Sequence, residues 1–334
     1  MQLSSQSGSS VFFFCAFALC LLVSTSCKEL INQPTHIKLA HTLSTDHSVH
    51  KAMVFMADKV KEKSDGKLLL DVYHSGQLGS ESECLELLQI GSLGITKVSA
   101  AVMEGFAPSY KVLGLPYVFM SKEHSHRVLD GDIGRQILND GEKSWLRGLC
   151  FYDAGSRSFY TRSKPIEKPE DLKGQKIRVM KSIISNRMIT SLGGAPMPIS
   201  WGELYTALQQ GVVDGAENNP PSFYLSKHFE VCKYYSINEH TTIPDVLLIS
   251  TRIWETLTED EKRWLTEAAE ESVPVQRVLW EQSEMESLRE LEKAGVEIIY
   301  PEKEPFANKV AAMLDAFKND PVVYPLIQDI QAME

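Results

Sequence analysis

The sequence predicts an α/β protein built from two units and one long helix, and three observations carry that prediction. Between residues 36 and 98, short apolar strand patterns alternate with amphipathic helical ones. The same alternation restarts near Phe151. A helical period then runs unbroken from Thr258 to Ala294. Strands alternating with helices imply mostly parallel sheets with helices on their faces.

The elements follow in order. His36 to Ala40 alternates polar and apolar residues, a first strand. Val49, Met53, Met56, Ala57 and Val60 recur at helical spacing up to Ser64, and Asp65-Gly66 stops the helix. Leu68 to Tyr73 is a strand, Ser80 to Leu88 a helix closed near Gly91, and Gly94 to Val98 the next strand. In the second unit, Phe151 to Ala154 reopens the pattern and Lys176 to Met180 is a strand. Ser182 to Ser191 is a helix ended by Gly193-Gly194, Trp201 to Gln210 a helix stopped by Gly211, and Val212 to Glu217 a strand. Thr258 and Glu261 form a capping box for the long helix, and Gly295 closes it. Pro274 inside it predicts a kink. At about 1.5 Å per residue the helix exceeds about 50 Å, longer than one small domain, so it is expected to run across both units.

The first 26 residues carry no Lys, Arg, Asp or Glu, and Val11 to Val23 is continuously apolar. That run is short for a membrane span, which takes roughly 20 residues, and it ends in Ser24-Thr25-Ser26 before Cys27. Residues 1–26 therefore read as a signal peptide for export, here with no basic residue before the apolar run. Cys27 stands where a bacterial lipoprotein carries its lipid, although Ser24 replaces the usual Leu; cleavage nearby without lipidation is the alternative. About 300 residues remain, enough for two domains of ordinary size.

The whole net charge of −10 lies in that remainder, which excludes nucleic acid and anionic lipid surfaces as partners. An acidic protein can still hold a small anion through local cationic groups. Cys84, Cys150 and Cys232 are odd in number and irregularly spaced, which favours buried free thiols over a disulfide and fits no zinc pattern.

Catalytic motifs are missing: the sequence has no Gly-rich phosphate loop, nucleophile elbow or HExxH. His47 and His50, and likewise His124 and His126, have no carboxylate or thiol spaced to complete a metal site, so packing or surface roles are expected. Asp153 with Asp214, or Glu203 with Glu217, could be imagined as acid and base, but no spacing demands it. Neither metal nor cofactor is expected. The informative stretch is 155–221. Arg178 falls inside the apolar strand Lys176 to Met180, where a cation is costly without an anionic partner. That partner is either an internal carboxylate or a ligand. Ligands of α/β sheets bind at the carboxyl ends of strands, where Arg178 and Asn218 would sit.

Glu170-Asp-Leu-Lys-Gly-Gln-Lys-Ile-Arg-Val179 resembles the "DLKG-KIR" segment of the dicarboxylate-binding (DctP-like) substrate-binding proteins of TRAP transporters. The segment from Tyr205 through Gln-Gln-Gly-Val-Val-Asp-Gly-Ala-Glu-Asn-Asn to Pro220 resembles the same family. So do Ser75-Gly-Gln-Leu-Gly79, Gly114-Leu-Pro-Tyr-Val-Phe119 and Lys233-Tyr-Tyr-Ser236, which together span nearly the whole chain after the leader.

The resemblance implies a two-lobe periplasmic binding protein, type II-like, with the ligand in the cleft and the kinked helix spanning both lobes. It places lobe one at 33–153 and 244–284, and lobe two at 154–243 and 285–334. It implies that Arg178 pairs with a ligand carboxylate, that Arg157 is a second arginine of the site, and that Asn218 completes carboxylate binding. Trp201 takes the position of a ring packed on the ligand, Glu81 approaches from the other lobe, and His41 ends the first strand facing the ligand. Each has a plainer alternative: core packing for Trp201, a favourable helix N-terminus for Glu81, a structural role for His41. Lys97 and Lys181 depart from the pattern and could meet a hydroxyl or a second anionic group. The wording 217–223 resembles members that bind sugar acids, particularly hexuronates; a C4-dicarboxylate or another hydroxy or keto acid is the alternative. The partners implied are integral membrane permease subunits, with a signalling receptor as runner-up. The implied protein is a monomer that transforms nothing, and a periplasmic sugar-acid enzyme is the reading from another class.

Overall fold

A computed structural model describes residues 33–333. The expected signal peptide and Cys27 lie outside the described residues.

Among the described residues, eleven strands form two sheets. They are β1 (Thr35–Ala40), β2 (Leu68–Tyr73), β3 (Ile95–Ser99), β4 (Leu146–Tyr152), β5 (Arg157–Thr161), β6 (Lys176–Val179), β7 (Ala195–Pro198), β8 (Gly215–Asn218), β9 (Tyr234–Thr241), β10 (Asp245–Ser250) and β11 (Glu297–Ile299). The first sheet has the order β2-β1-β3-β10-β4, the second β11-β9-β5-β8-β6-β7. β1 pairs in parallel with β2 and β3, while β10 runs antiparallel to β3 and β4. In the second sheet β6 is parallel to β7 and β8, and β5 is antiparallel to β8 and β9.

The chain passes between the sheets three times: between β4 and β5, between β9 and β10, and through the helix Glu259–Lys293 that leads to β11. The first passage is fixed to that helix. Buried Gln276 accepts from Asp153 N at 2.8 Å and donates to Asp153 O at 2.7 Å, so both backbone groups of the crossing residue are satisfied by one amide. The long helix packs on helix Ser48–Lys63, on β4 and on helix Pro220–Leu225, and therefore touches elements of both sheets. Its 35 residues span about 52 Å. It carries the capping box Thr258/Glu261 that the sequence predicts and continues through Pro274.

Element bounds shift where the apolar pattern extends past the hydrogen-bonded ladder. The strand expected over 212–217 is Gly215–Asn218, because Val212 and Val213 fold back on Ala207 O. The strand expected at 151–154 is the end of β4, and Asp153 to Ser156 leads across to β5. The three cysteines of the described residues are free and buried. The closing helix Val323–Ala332 packs against Pro108–Gly114 and Asp132–Asp140, and its Ile330 carbonyl meets buried His124 Nε2 at 3.0 Å.

One carboxylate ties the two sheets' surroundings together. Glu104, in the 3-10 turn after β3, accepts from Ser182 Oγ at 2.8 Å and from Ile183 N and Ile184 N at 2.9 and 3.2 Å. These are the orphan donors that open helix Ile183–Ser191, next to β6 of the second sheet. Burial pushes the Glu104 carboxyl up to about 7 against the pull of those three donors. A raised carboxyl pKa means that the folded state holds the proton more tightly than the unfolded chain. Its contribution is then complete below about pH 4.3 and is lost as pH climbs toward 7. Between pH 5 and 8 the thermal midpoint of the wild type should therefore fall by a few °C relative to that of Glu104→Gln. Parallel midpoint curves for the two proteins would remove this role from Glu104.

Candidate ligand-binding cleft

The carboxyl ends of β3, β6 and β8 and the crossing segments converge on one cleft of about 500 Å³, counted with the solvent at its mouth. Glu81, Lys97 and Ser99 line it from the first sheet's side, and Arg157, Arg178, Trp201 and Asn218 from the second's. Ala154 and Ile243 come from the crossings, Asp245 from the start of β10 and Trp280 from the long helix.

Arg178 is the third residue of β6, paired with Met197 on one side and Ala216 on the other, and is 3% exposed. Its Nε donates to Ile199 O at 2.8 Å, and its guanidinium carbon lies 5.9 Å from the Trp201 ring centroid. Of the three buried Lys and Arg side chains among the described residues, it alone has no carboxylate partner. Burial lowers its pKa, yet a guanidinium stays protonated in proteins. A buried cation with an unpaired face pointing into a cleft calls for an anion.

Asn218 shares that face. Residues directly opposite each other in a ladder point to the same side, so Arg178 opposite Ala216 puts Asn218, two residues on, beside it. Asn218 Oδ1 accepts from Arg157 Nη1 at 2.8 Å and from Asn219 N at 2.9 Å, which fixes its amide nitrogen as the outward group. That nitrogen has no partner among the described residues.

Arg157 is different. It opens β5 where the ladder to β9 shifts register between Arg157 and Phe159, and from there its side chain reaches both Glu217 and Asn218 of β8. The guanidinium grips the carboxylate at both oxygens, Nε to Oε2 at 2.5 Å and Nη2 to Oε1 at 2.9 Å. Nη2 also donates to Glu217 O at 2.8 Å. Four of its five N–H groups are thus engaged within the protein, leaving one. Burial works against the Glu217 carboxylate, but the Arg157 charge outweighs it and holds the carboxyl well below its usual range.

Lys97, buried in β3, is held 3.2 Å from both Glu81 and Asp245. Glu81 also accepts from Ser99 N at 3.2 Å. Burial raises the Asp245 carboxyl and the Lys97 ammonium opposes that rise. One ammonium shared by two carboxylates has no charge left for a second anion. Its neighbours can still accept hydrogen bonds from hydroxyls.

Six sequence-predicted residues therefore meet in the cleft: Arg178, Arg157, Asn218, Trp201, Glu81 and Lys97. Trp201 opens helix Trp201–Gln209 and packs against the cores of both sheets. Lys181 lines an adjoining pocket that shares Arg178, Met180, Glu81 and Trp201 with the cleft. His41 does not line either one. It is buried, with Nε2 2.9 Å from His50 Nδ1 and Nδ1 accepting from Leu43 N, and the residues after it reach the cleft instead. Sequence reasoning passed over Asp245, His47 and Trp280 as cleft residues. Asp245 had a signal, an acidic residue opening the apolar strand Val246 to Ile249. Of the imagined acid-base pairs, Asp153 is held by His126 Nε2 at 3.0 Å, Glu217 by Arg157, and Glu203 is exposed.

The profile of DctP, "Bacterial extracellular solute-binding protein, family 7", matches residues 39–320. A solute-binding protein of Chromohalobacter salexigens is 36% identical over 283 residues, 84% of each chain. The crystal structure of a TRAP periplasmic solute-binding protein from Xanthobacter autotrophicus, with bound β-D-galacturonate, is 40% identical; it superposes with a TM-score of 0.87 over 89% of this chain and 100% of that one. A counterpart from Roseobacter denitrificans, with bound β-D-glucuronate, is 36% identical with a TM-score of 0.87, over 90% of this chain and 100% of that one. The chain belongs to this family: it is a TRAP-type solute-binding protein with the two-lobe α/β fold.

Removing one member of the Arg157–Glu217 pair leaves an unmatched buried charge. Glu217→Ala should lower unfolding stability by about 3–5 kcal/mol, measured by denaturant titration. Adding Arg157→Met to it should recover part of the loss. A single-variant loss below about 1 kcal/mol, the value of an exposed pair, would show that the pair is not desolvated.

Proposed function

We propose that the protein captures a sugar acid with a single carboxylate, D-galacturonate or D-glucuronate, and delivers it to the integral membrane subunits of a TRAP permease. The observation that carries this reading is Arg178, a buried guanidinium whose terminal nitrogens face the cleft without a protein carboxylate. Arg presents a planar fork that meets a carboxylate at two oxygens. The amide nitrogen of Asn218 and the one remaining N–H of Arg157 are near enough in the fold to fill further lone pairs. Arg178 is the one cation of the cleft with no carboxylate in contact, since Arg157 pairs with Glu217 and Lys97 with both Glu81 and Asp245, and the three cations and three carboxylates leave no net positive charge for a second anion. That balance suits one carboxylate and disfavours the two of a C4-dicarboxylate. Hydroxyls can donate to Glu81 and Asp245, and the Trp201 ring gives an apolar face for a sugar ring. The bound uronates of the two solved relatives support the same chemistry.

Capture leaves the ligand chemically unchanged in this reading, and the protein acts outside the cytoplasm as a monomer. The charge-free leader 1–26 fits export, and Cys27 would serve as a lipid anchor if cleavage falls before it. The lobes would close about the crossings near 153 and 244, with 33–153 and 244–284 against 154–243 and the chain from 285; the expected second-lobe end at 334 is corrected, because the closing helix Val323–Ala332 packs back on Pro108–Gly114 and Asp132–Asp140 of the first lobe.

A thermal-shift screen of the mature chain against hexuronates, aldonates, C4-dicarboxylates, keto acids and sialic acid tests the ligand. Saturation at about 100 times Kd adds about 2.7 kcal/mol, a shift that is readily seen. Galacturonate or glucuronate should shift the midpoint most, and mass spectrometry should return the acid unaltered. Arg178→Ala should weaken binding about 30-fold or more by calorimetry, and Arg178→Lys should not restore it because the fork is lost. A shift with succinate alone, or an Arg178→Ala protein that binds within a factor of a few, would sink the proposal.

A further inference from the structure

His47 and Trp280 each bring to the cleft an uncharged ring N–H that is fully buried and that no described residue accepts. His47 caps helix Ser48–Lys63, its Nδ1 accepting from Val49 N at 3.2 Å. A ring nitrogen that accepts carries no proton, so in the neutral imidazole the proton is on Nε2. Burial, with help from the Lys97 charge, lowers the His47 pKa to about 3, so the ring is neutral near pH 7. Nε2 is buried, and no described residue partners it. Trp280 Nε1 is likewise buried and unpartnered, and an indole N–H can only donate. The two rings are neighbours, with centroids 5.9 Å apart, and both line the cleft.

Their place in the cleft matters. The pocket that contains Lys181 shares Arg178, Trp201 and Glu81 with the main cleft but reaches neither His47 nor Trp280. The two donors therefore lie on the part of the cleft away from Lys181. Trp280 stands against a left-handed Gly155, where a Cβ would lie 3.0 Å from its Nε1 and 2.9 Å from Glu284 Oε1. The cations on that part of the cleft are Lys97, already shared by Glu81 and Asp245, and Arg157, already held by Glu217. A second carboxylate placed there would meet two neutral donors and two carboxylates. A hydroxyl oxygen would satisfy the donors without any charge to match.

We infer that His47 Nε2–H and Trp280 Nε1–H form an uncharged subsite that receives hydroxyl oxygens of a polyhydroxy monocarboxylate held through its carboxylate at Arg178. This rests on the sugar-acid reading and adds the residues that select a polyol over a dicarboxylate. A buried donor left empty costs free energy, and a ligand hydroxyl removes that cost while a ligand without one does not.

The test is calorimetric titration of D-glucuronate, D-galacturonate, the 2-, 3- and 4-deoxy analogues of glucuronate, and succinate. The proteins are wild type, Trp280→Phe and His47→Asn. Phe keeps a ring without the N–H, and Asn keeps the helix cap without the reach of the imidazole. Each variant should bind the preferred uronate about tenfold more weakly, the value of one hydrogen bond to a buried donor. Each deficit should vanish for the deoxy analogue that lacks the hydroxyl its donor holds, which a merely structural change would not produce. If the wild type binds a uronate and both variants bind it within twofold, or if the deficit is the same for every analogue, the subsite is overturned and the sugar-acid reading stands. Wild-type protein that takes succinate, or none of these acids, overturns the sugar-acid reading and the subsite with it.

Discussion

A guanidinium buried at the carboxyl end of a strand raises the free energy of the protein until an anion meets it. Arg178 is built into β6 in that condition, its Nε anchored on Ile199 O and its outer nitrogens open to the cleft. The surroundings are arranged to keep it so. Arg157 is one strand pair away, yet Glu217 satisfies it so fully that it adds little net charge. Lys97 is matched twice over. Two cations are thus neutralised within the protein while the third has no carboxylate partner among the described residues, and the difference between them is set by which carboxylates the strands bring alongside.

This resolves how a chain of net charge −10 can hold an acid. Exposed charges more than about 8–10 Å away are screened at physiological salt and contribute little at the cleft floor. Buried charges are screened far less, so one unmatched arginine outweighs the acidic surface. The same low dielectric explains why selectivity can rest on neutral groups. An N–H with no acceptor discriminates against a ligand that cannot fill it, and does so without adding charge.

The cleft also depends on how the chain is threaded. Its walls come from both sheets, and three passages connect them. Gln276 pins the first passage to the long helix, and Glu104 reaches from the first sheet's side to cap a helix of the second. A cleft with one wall from each of two sheets excludes water when they approach, and exclusion strengthens the pairing at Arg178. In the proposed function, carboxylate capture and approach of the walls would be coupled through the same charge.

Much of this was legible in the sequence. Alternating patterns gave both α/β units because periods of two and 3.6 report local backbone geometry directly. The Thr258/Glu261 box and Gly295 marked the ends of the long helix because caps are local hydrogen-bond chemistry. Arg178 was conspicuous for being an arginine in an apolar strand, and that signal led to the cleft. What the sequence left open was the partner of each charge. Whether Arg157 and Arg178 face a ligand or a carboxylate depends on the register of β5, β6 and β8, which residues distant in the chain decide. His41 and His47 are six positions apart and look alike as letters; only the fold directs His41 to His50 and leaves His47 with an empty donor in the cleft. Trp280 lies inside the long helical stretch with no local signal to mark it as a cleft residue. Local patterns determine the elements because they act within a few residues, whereas charge pairing and unfilled donors are properties of the assembled interior, and only the tertiary structure decided them.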